Sequence, residues 1–234
     1  MLHMDIIKKK SPNFNDRVGD AKPDYIVLHY TGTKDAQEAC EAYMDSSVAL
    51  SPHYMVDVDG TITQFVDEDK RAWHAGKSSW GGCEDMNSAS IGIEIVNGGH
   101  AHGLPEYPAD QIEALITLCK DVIARHDIPP LNILGHSDIS TGRKVDPGEN
   151  FPWEYLADNG VGFWPHPDED DYKANIGVRS GLLGLGYSSQ CEDVVLIREF
   201  QRRYQPEIFH KNATNVVCEY THALVNALLR EKHR

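Results

Sequence analysis

The sequence predicts an α/β protein: a central mixed β-sheet flanked by helices, followed by a small helical C-terminal domain. Three observations lead there. Short apolar runs at residues 25–28, 91–96 and 131–134 have strand length and are bounded by polar or Gly-containing turns. A longer run opened by Pro108 and reaching Arg125 places Ile112, Leu115, Ile116, Cys119 and Ile123 on one helical face, suited to packing on a sheet. Beyond Trp153 the composition changes, and helical patterns resume from about Tyr172.

In chain order, the run at residues 25–28 delivers His29 to a turn containing Gly32. Ala36, Ala39, Cys40 and Tyr43 recur at helical spacing, and residues 54–66 alternate around Asp59-Gly60 as a hairpin does. The next strand carries Glu94, then comes the Pro108 helix, then the strand leading to His136. These three strands should form the sheet, with their polar residues gathered at its strand ends. Residues 1–160 make the first domain, and 161–175, with Pro165, Pro167 and an acidic run, read as a linker or docking loop. Residues 176–234 make the helical domain, with Ile197, Phe200 and Tyr204 on one stripe and Val217, Leu224 and Leu228 on another after a Thr214 cap.

Composition narrows the function. The 234 residues, 41% hydrophobic, suffice for a domain of ordinary size and a smaller one. No apolar run reaches the ~18 residues of a membrane span. The first ten residues are basic without a following apolar stretch, so no secretory signal is expected. The five cysteines are odd in number and lack Cys-x-x-Cys spacing, which favours a reducing compartment and the cytoplasm over a disulfide framework, with the periplasm or cell envelope as the alternative. A net charge of −14 argues against nucleic acid, and the runs Lys8-Lys9-Lys10 and Arg202-Arg203 read as solvated.

The chemistry concentrates in Gly135-His136-Ser137-Asp138 and Lys144-Val145-Asp146-Pro147-Gly148. The loop between them can fold back to bring Asp146 beside His136, and in an extended segment Lys144 and Asp146 face the same side. His29 supplies a third ligand. Two neutral imidazoles and one carboxylate suit zinc and leave a fourth tetrahedral position open, the signature of a catalytic site. Glu94, amid Ile91, Ile93, Ile95 and Val96, is costly to bury unless paired or raised in pKa, which is what a general base working near neutrality needs. The bland reading of that run is an edge strand with its Glu in solvent.

Arg71-Ala72-Trp73-His74-Ala75-Gly76 is loop-like. His74 could be a ligand, a substrate contact or a satisfied structural group. Trp73 could pack as core with its indole N–H partnered, and Arg71 could fork onto a peptide carboxylate or stay solvated. Asn87 should shape its loop. His3, His100, His102, His126, His166, His210, His222 and His233 receive no role.

His29-Tyr-Thr-Gly32, His53-Tyr-Met-Val-Asp-Val-Asp-Gly60, Arg71-Ala-Trp-His-Ala-Gly76, Ser90-Ile-Gly-Ile-Glu-Ile-Val-Asn97 and Gly135-His-Ser-Asp138 with Arg143-Lys-Val-Asp-Pro-Gly148 together resemble the type 2 N-acetylmuramoyl-L-alanine amidases, the AmpD-like zinc amidases. Five blocks in order over roughly residues 20–160 carry the resemblance. It implies the amidase and peptidoglycan-recognition fold, with zinc on His29, His136 and Asp146, Glu94 acting on the water, and Lys144 stabilising the oxyanion. The implied reaction hydrolyses the amide joining the muramic acid lactyl group to L-alanine, with peptidoglycan or muropeptide as partner. Peptidoglycan stems carry carboxylates, so an acidic chain must rely on local groups such as Arg71 and Lys144. The family also includes recognition proteins that do not cut. Their cutting relatives often use a Tyr and a Cys where this chain has Pro52 and Asp146, so it sits with the Glu-dependent branch. Thr141 stands where Pro is common, a change expected to alter loop stiffness.

The tail, with Leu183-Gly-Leu-Gly-Tyr187 and Ile197-Arg-Glu-Phe-Gln-Arg-Arg-Tyr204, more weakly resembles the three-helix peptidoglycan-binding module. The resemblance leaves a recycling amidase, a phage-type lysin of the same chemistry and a non-cutting recognition module as readings. A scaffold with a vestigial site is a fourth.

Overall fold

The protein is described from a computed structural model, which covers residues 5–211 and 213–234. His3, and part of the N-terminal stretch read for a secretory signal, lie outside the described residues. In chain order the elements are β1 (Ile6–Lys8), β2 (Phe14–Asp16), β3 (Tyr25–Tyr30), α1 (Ala36–Met44), β4 (Tyr54–Val56), β5 (Ile62–Gln64), β6 (Lys70–Ala72), α2 (Met86–Ala89) and β7 (Ser90–Ile95). There follow α3 (Ala109–His126), β8 (Ile133–Gly135), α4 (His136–Ile139), α5 (Trp153–Asp158), α6 (Glu169–Lys173), α7 (Val178–Leu185), α8 (Asp193–Tyr204), α9 (Glu207–His210) and α10 (Glu219–Lys232).

Among the described residues, six strands form one mixed sheet in the order β1-β5-β4-β7-β3-β8. Strands β4, β7, β3 and β8 are mutually parallel, and β5 returns antiparallel to β4 through the turn at Gly60. Strands β2 and β6 pair as a separate antiparallel ribbon.

Alternation along the strands divides the core. Ile26 and Leu28 of β3, Ile91, Ile93 and Ile95 of β7, and Ile133 of β8 face α3 and α5, where they meet Ile112, Leu115, Ile116, Cys119, Val122 and Leu156. Helix α3 ends at Asp127, which takes the left-handed conformation two residues before Pro129. Both faces of the central strands are covered, so β7 is not an edge and Glu94 is not in solvent.

The opposite face shows something the sequence did not announce. Val27 and Leu134 pack in one core with Leu182 and Leu185 of α7, Leu196, Phe200 and Tyr204 of α8, and Leu224, Val225 and Leu228 of α10. Near β4 and β5 the same face is closed by Ala39 and Tyr43 of α1, which meet Met55 and Phe65. The C-terminal helices thus form a layer of the sheet sandwich. Residues 161–175, expected as linker or docking loop, are packed too. Val161 lies in the α3 core, and Asp171 of α6 pairs with Arg230 of α10 at 2.7 Å. Thr214 does not cap the last helix: α10 starts at Glu219 behind Cys218, so Val217 falls outside it and is exposed.

Candidate active site

The C-terminal ends of β3, β7 and β8 converge. His29 on β3 and Glu94 on β7 are register partners, and Leu28 pairs with Gly135, the residue before His136. His136 opens α4, where Asp138 accepts the Gly135 amide at 2.8 Å and closes the turn. The segment from Thr141 folds back, as its length allowed, so that the Ser137 amide donates to the Asp146 carbonyl at 2.9 Å. Thr141 uses its hydroxyl to bind the Asp138 carbonyl at 2.8 Å.

This brings His29 Nδ1, His136 Nδ1 and Asp146 Oδ2 together in a buried cluster able to hold a cation. The nitrogens are 2.9 Å apart, and Oδ2 lies 3.1 Å from His29 and 2.9 Å from His136. The second nitrogen of each ring is committed elsewhere. His136 Nε2 donates to the Ala75 carbonyl at 3.1 Å. His29 Nε2 donates to His74 Nδ1 at 3.0 Å, His74 Nε2 to Ser90 Oγ at 3.2 Å, and Ser90 Oγ to the Met86 carbonyl at 2.5 Å. Both Nδ1 atoms therefore present lone pairs to the carboxylate oxygen. Three acceptors facing one another with no proton between them fit a cation such as zinc.

Electrostatics follow from burial. Desolvation, with the neighbouring His136, pushes His29 down to about 4, so it is neutral at pH 7, as a ligand must be. Burial opposes ionisation of Asp146, yet the two imidazoles hold its carboxyl well below the usual range. Glu94 is raised well above the ordinary carboxyl value by burial and by the Asp146 charge, while Lys144 acts in the opposite sense. Its Oε2 is buried without a hydrogen-bond partner among the described residues. Lys144 itself is half-buried.

The block containing Arg71, Trp73 and His74, expected to contact substrate, makes its own set of contacts within the protein. Arg71 Nη2 pairs with Asp85 at 2.9 Å, and the Trp73 indole donates to Asn15 Oδ1 on β2 at 2.7 Å. His74 does reach the cluster, but from behind His29, and it is only 4% exposed. His74 is thus a hydrogen-bond partner of His29. Asn87 shapes this loop by accepting the His74 and Ala75 amides at 3.0 and 2.8 Å. Ser90 and Gly92 were missed. Gly92 had a signal, since a glycine inside a strand marks close approach. A Cβ there would lie 2.3 Å from the His74 ring.

Fold and cluster define a class: a mixed-sheet protein with a buried His, His, Asp cluster able to hold a cation at its strand ends and a buried carboxyl group beside it. A family profile described as N-acetylmuramoyl-L-alanine amidase matches residues 19–149, and the chain belongs to that family. It is 42% identical to N-acetylmuramoyl-L-alanine amidase AmiD of Escherichia coli K12, across 88% of this chain and 82% of AmiD. It is 35% identical to 1,6-anhydro-N-acetylmuramyl-L-alanine amidase AmpD of Enterobacter cloacae, across 61% of this chain and 83% of AmpD.

Solved structures extend the likeness over the whole chain. AmiD from E. coli, in complex with the substrate anhydro-N-acetylmuramic acid-L-Ala-D-γ-Glu-L-Lys, superposes with TM-score 0.77 at 30% identity, covering 94% of this chain and 98% of that one. AmpDh3 from Pseudomonas aeruginosa superposes with TM-score 0.79 at 29% identity over all of both chains.

Proposed function

We propose that His29, His136 and Asp146 hold zinc and that Glu94 and Lys144 use the site to hydrolyse the amide between the N-acetylmuramic acid lactyl group and L-alanine. The observation that carries this is the convergence of two Nδ1 lone pairs on the Asp146 carboxylate, with each Nε2 committed to another partner. Bound there, zinc would lower the pKa of a water molecule toward 7 and polarise the scissile carbonyl.

The remaining work falls to side chains. Glu94, beside His29 in the sheet, takes the proton from the attacking water and returns it to the leaving L-alanine amine. Burial and the Asp146 charge raise its pKa above the ordinary carboxyl value, as a group that must both take and return a proton requires, and the Lys144 charge favours the ionised form that a base needs. Lys144 also faces the developing oxyanion, a role worth about 2.7–4 kcal/mol of barrier for one well-placed donor.

The substrate class follows the relatives' complexes with anhydromuramyl peptides. We favour soluble anhydro-muropeptide over intact wall. Five free thiols favour a reducing compartment such as the cytoplasm, where released fragments are the accessible form. Among the described residues no helix is long and apolar enough to cross a membrane.

The test is peptide release, followed by mass spectrometry, when the zinc-loaded protein meets a soluble anhydro-muropeptide and, separately, intact sacculi. Release from the fragment, abolished by chelation and restored by zinc, is expected. Zinc bound with no release from either would leave a recognition protein in place of the enzyme.

A further inference from the structure

Helix α8 is tied to the sequence neighbours of His136 and Asp146 directly, and to the neighbour of His29 through His100. Arg203, only 5% exposed, reaches from α8 to Asp138, two residues after His136, with Nη1 to Oδ2 at 2.5 Å. Its Nη2 donates to the Ile133 carbonyl on β8 at 2.9 Å, and its guanidinium lies 3.9 Å over the Trp153 ring. The other Asp138 oxygen accepts the Tyr187 hydroxyl at 2.9 Å, a second contact from the C-terminal helices.

Arg202, the adjacent residue, pairs with Glu149, three residues after Asp146. Glu149 also accepts His100 Nε2 at 3.0 Å, and His100 Nδ1 accepts the hydroxyl of Tyr30, the residue after His29, at 3.0 Å. Arg202 is itself fixed: its Nε donates to the fully buried Glu199 at 2.8 Å, and its guanidinium lies 4.5 Å over Phe209.

We propose that Arg202 and Arg203, with Tyr187, are positioning residues that set the spacing of His29, His136 and Asp146, so that metal affinity depends on the C-terminal helices. This rests on the reading of the cluster as a zinc site. The three ligands come from three separate chain segments, and a metal tolerates donor displacements of only about 0.2 Å. Such a site is as preorganised as the shell that holds its segments. Adjacent arginines on one rigid helix tie the Asp138 turn and the Glu149 loop to a common frame, and His100 extends that frame to β3.

The experiment uses the full chain. Zinc affinity is measured by competition with a chromogenic chelator, and the cobalt-substituted protein is examined by visible absorption, which reports ligand geometry. Arg202→Met and Tyr187→Phe are the main variants, since each keeps the bulk of its side chain. Each is expected to raise the zinc Kd about three- to tenfold, below the ~10–100-fold loss typical for a direct partner of a ligand, and to shift the cobalt bands. Kd values within about twofold of wild type with unchanged cobalt spectra would overturn the proposal, even with lowered melting temperatures, because a merely structural brace moves only those. A wild type that takes up neither metal would instead sink the zinc reading, and this inference with it.

Discussion

His29 and Glu94 occupy the same register position on adjacent parallel strands, so a ring whose Nδ1 turns into the cluster and a buried carboxyl leave the same face of the sheet side by side. The pairing fixes the Glu94 carboxyl relative to the cluster without recourse to a loop, and sites built on strands are held more precisely than sites on loops.

Glu94→Gln keeps the shape of the side chain and removes its proton transfer. Bound zinc, read by elemental analysis, should stay stoichiometric while turnover falls by about 10²–10⁴-fold. A variant retaining wild-type rate would remove Glu94 from the mechanism.

Chelation should destabilise the native chain. Zinc at a hundredfold excess over its Kd stabilises by about 2.7 kcal/mol, which for a protein of this size is a melting shift of about 5–10 °C. The shift, read by calorimetry with and without chelator, should vanish in Asp146→Ala.

His74→Ala deletes the acceptor that holds the proton on His29 Nε2. Zinc affinity should fall about 10–100-fold, read by chelator competition, without loss of a direct ligand.

Arg203→Met leaves Asp138 buried at 0% exposure without its cation. A cost of about 3–5 kcal/mol is expected, seen as a lowered urea midpoint. Adding Asp138→Asn should recover part of it, because the remaining group is then neutral.

Stability should decline on the acid side in two windows. Burial pushes His53 down to about 3, with the Gly92 amide donating to its Nδ1 and its Nε2 donating to the Lys70 carbonyl. The native state then binds a proton less readily than the unfolded chain, so this contribution is complete above about pH 6.5 and drains away as pH falls toward 3. Burial alone would raise Glu68, but Arg125, His126 and Tyr54 hold it down to about 2, so its contribution is present above about pH 4.5 and lost toward 2. Denaturant melts across pH 2–8 should show both, and Glu68→Gln should shrink the lower window, leaving the part contributed there by Glu149, which burial would raise but His100 and Arg202 hold down to about 2.

Much of this site was legible because its chemistry is local. A His at the end of each of two apolar runs and an Asp two residues after a Lys can be read along one line of sequence, and the sheet only had to align the runs. The Pro108 helix was legible for the same reason: its stripe of Ile112, Leu115, Ile116 and Cys119 repeats at the helical period. What escaped were relations between distant segments. Nothing near Arg202 says that Glu149 will meet it, and a basic pair on a helix ordinarily stays in solvent. His74 was ambiguous because its burial depends on the missing side chain of Gly92, on another strand. The Thr214 cap failed where two start signals competed, and Cys218 with Thr221 closed the turn nearer the apolar stripe.

Val27 and Leu134 share a core with α7, α8 and α10. Detaching the C-terminal stretch would therefore bare apolar side chains on the sheet as well as on the helices. A homologue lacking these helices must close the same sheet face with other side chains, and transplanting the helices onto it would require rewriting that face as well.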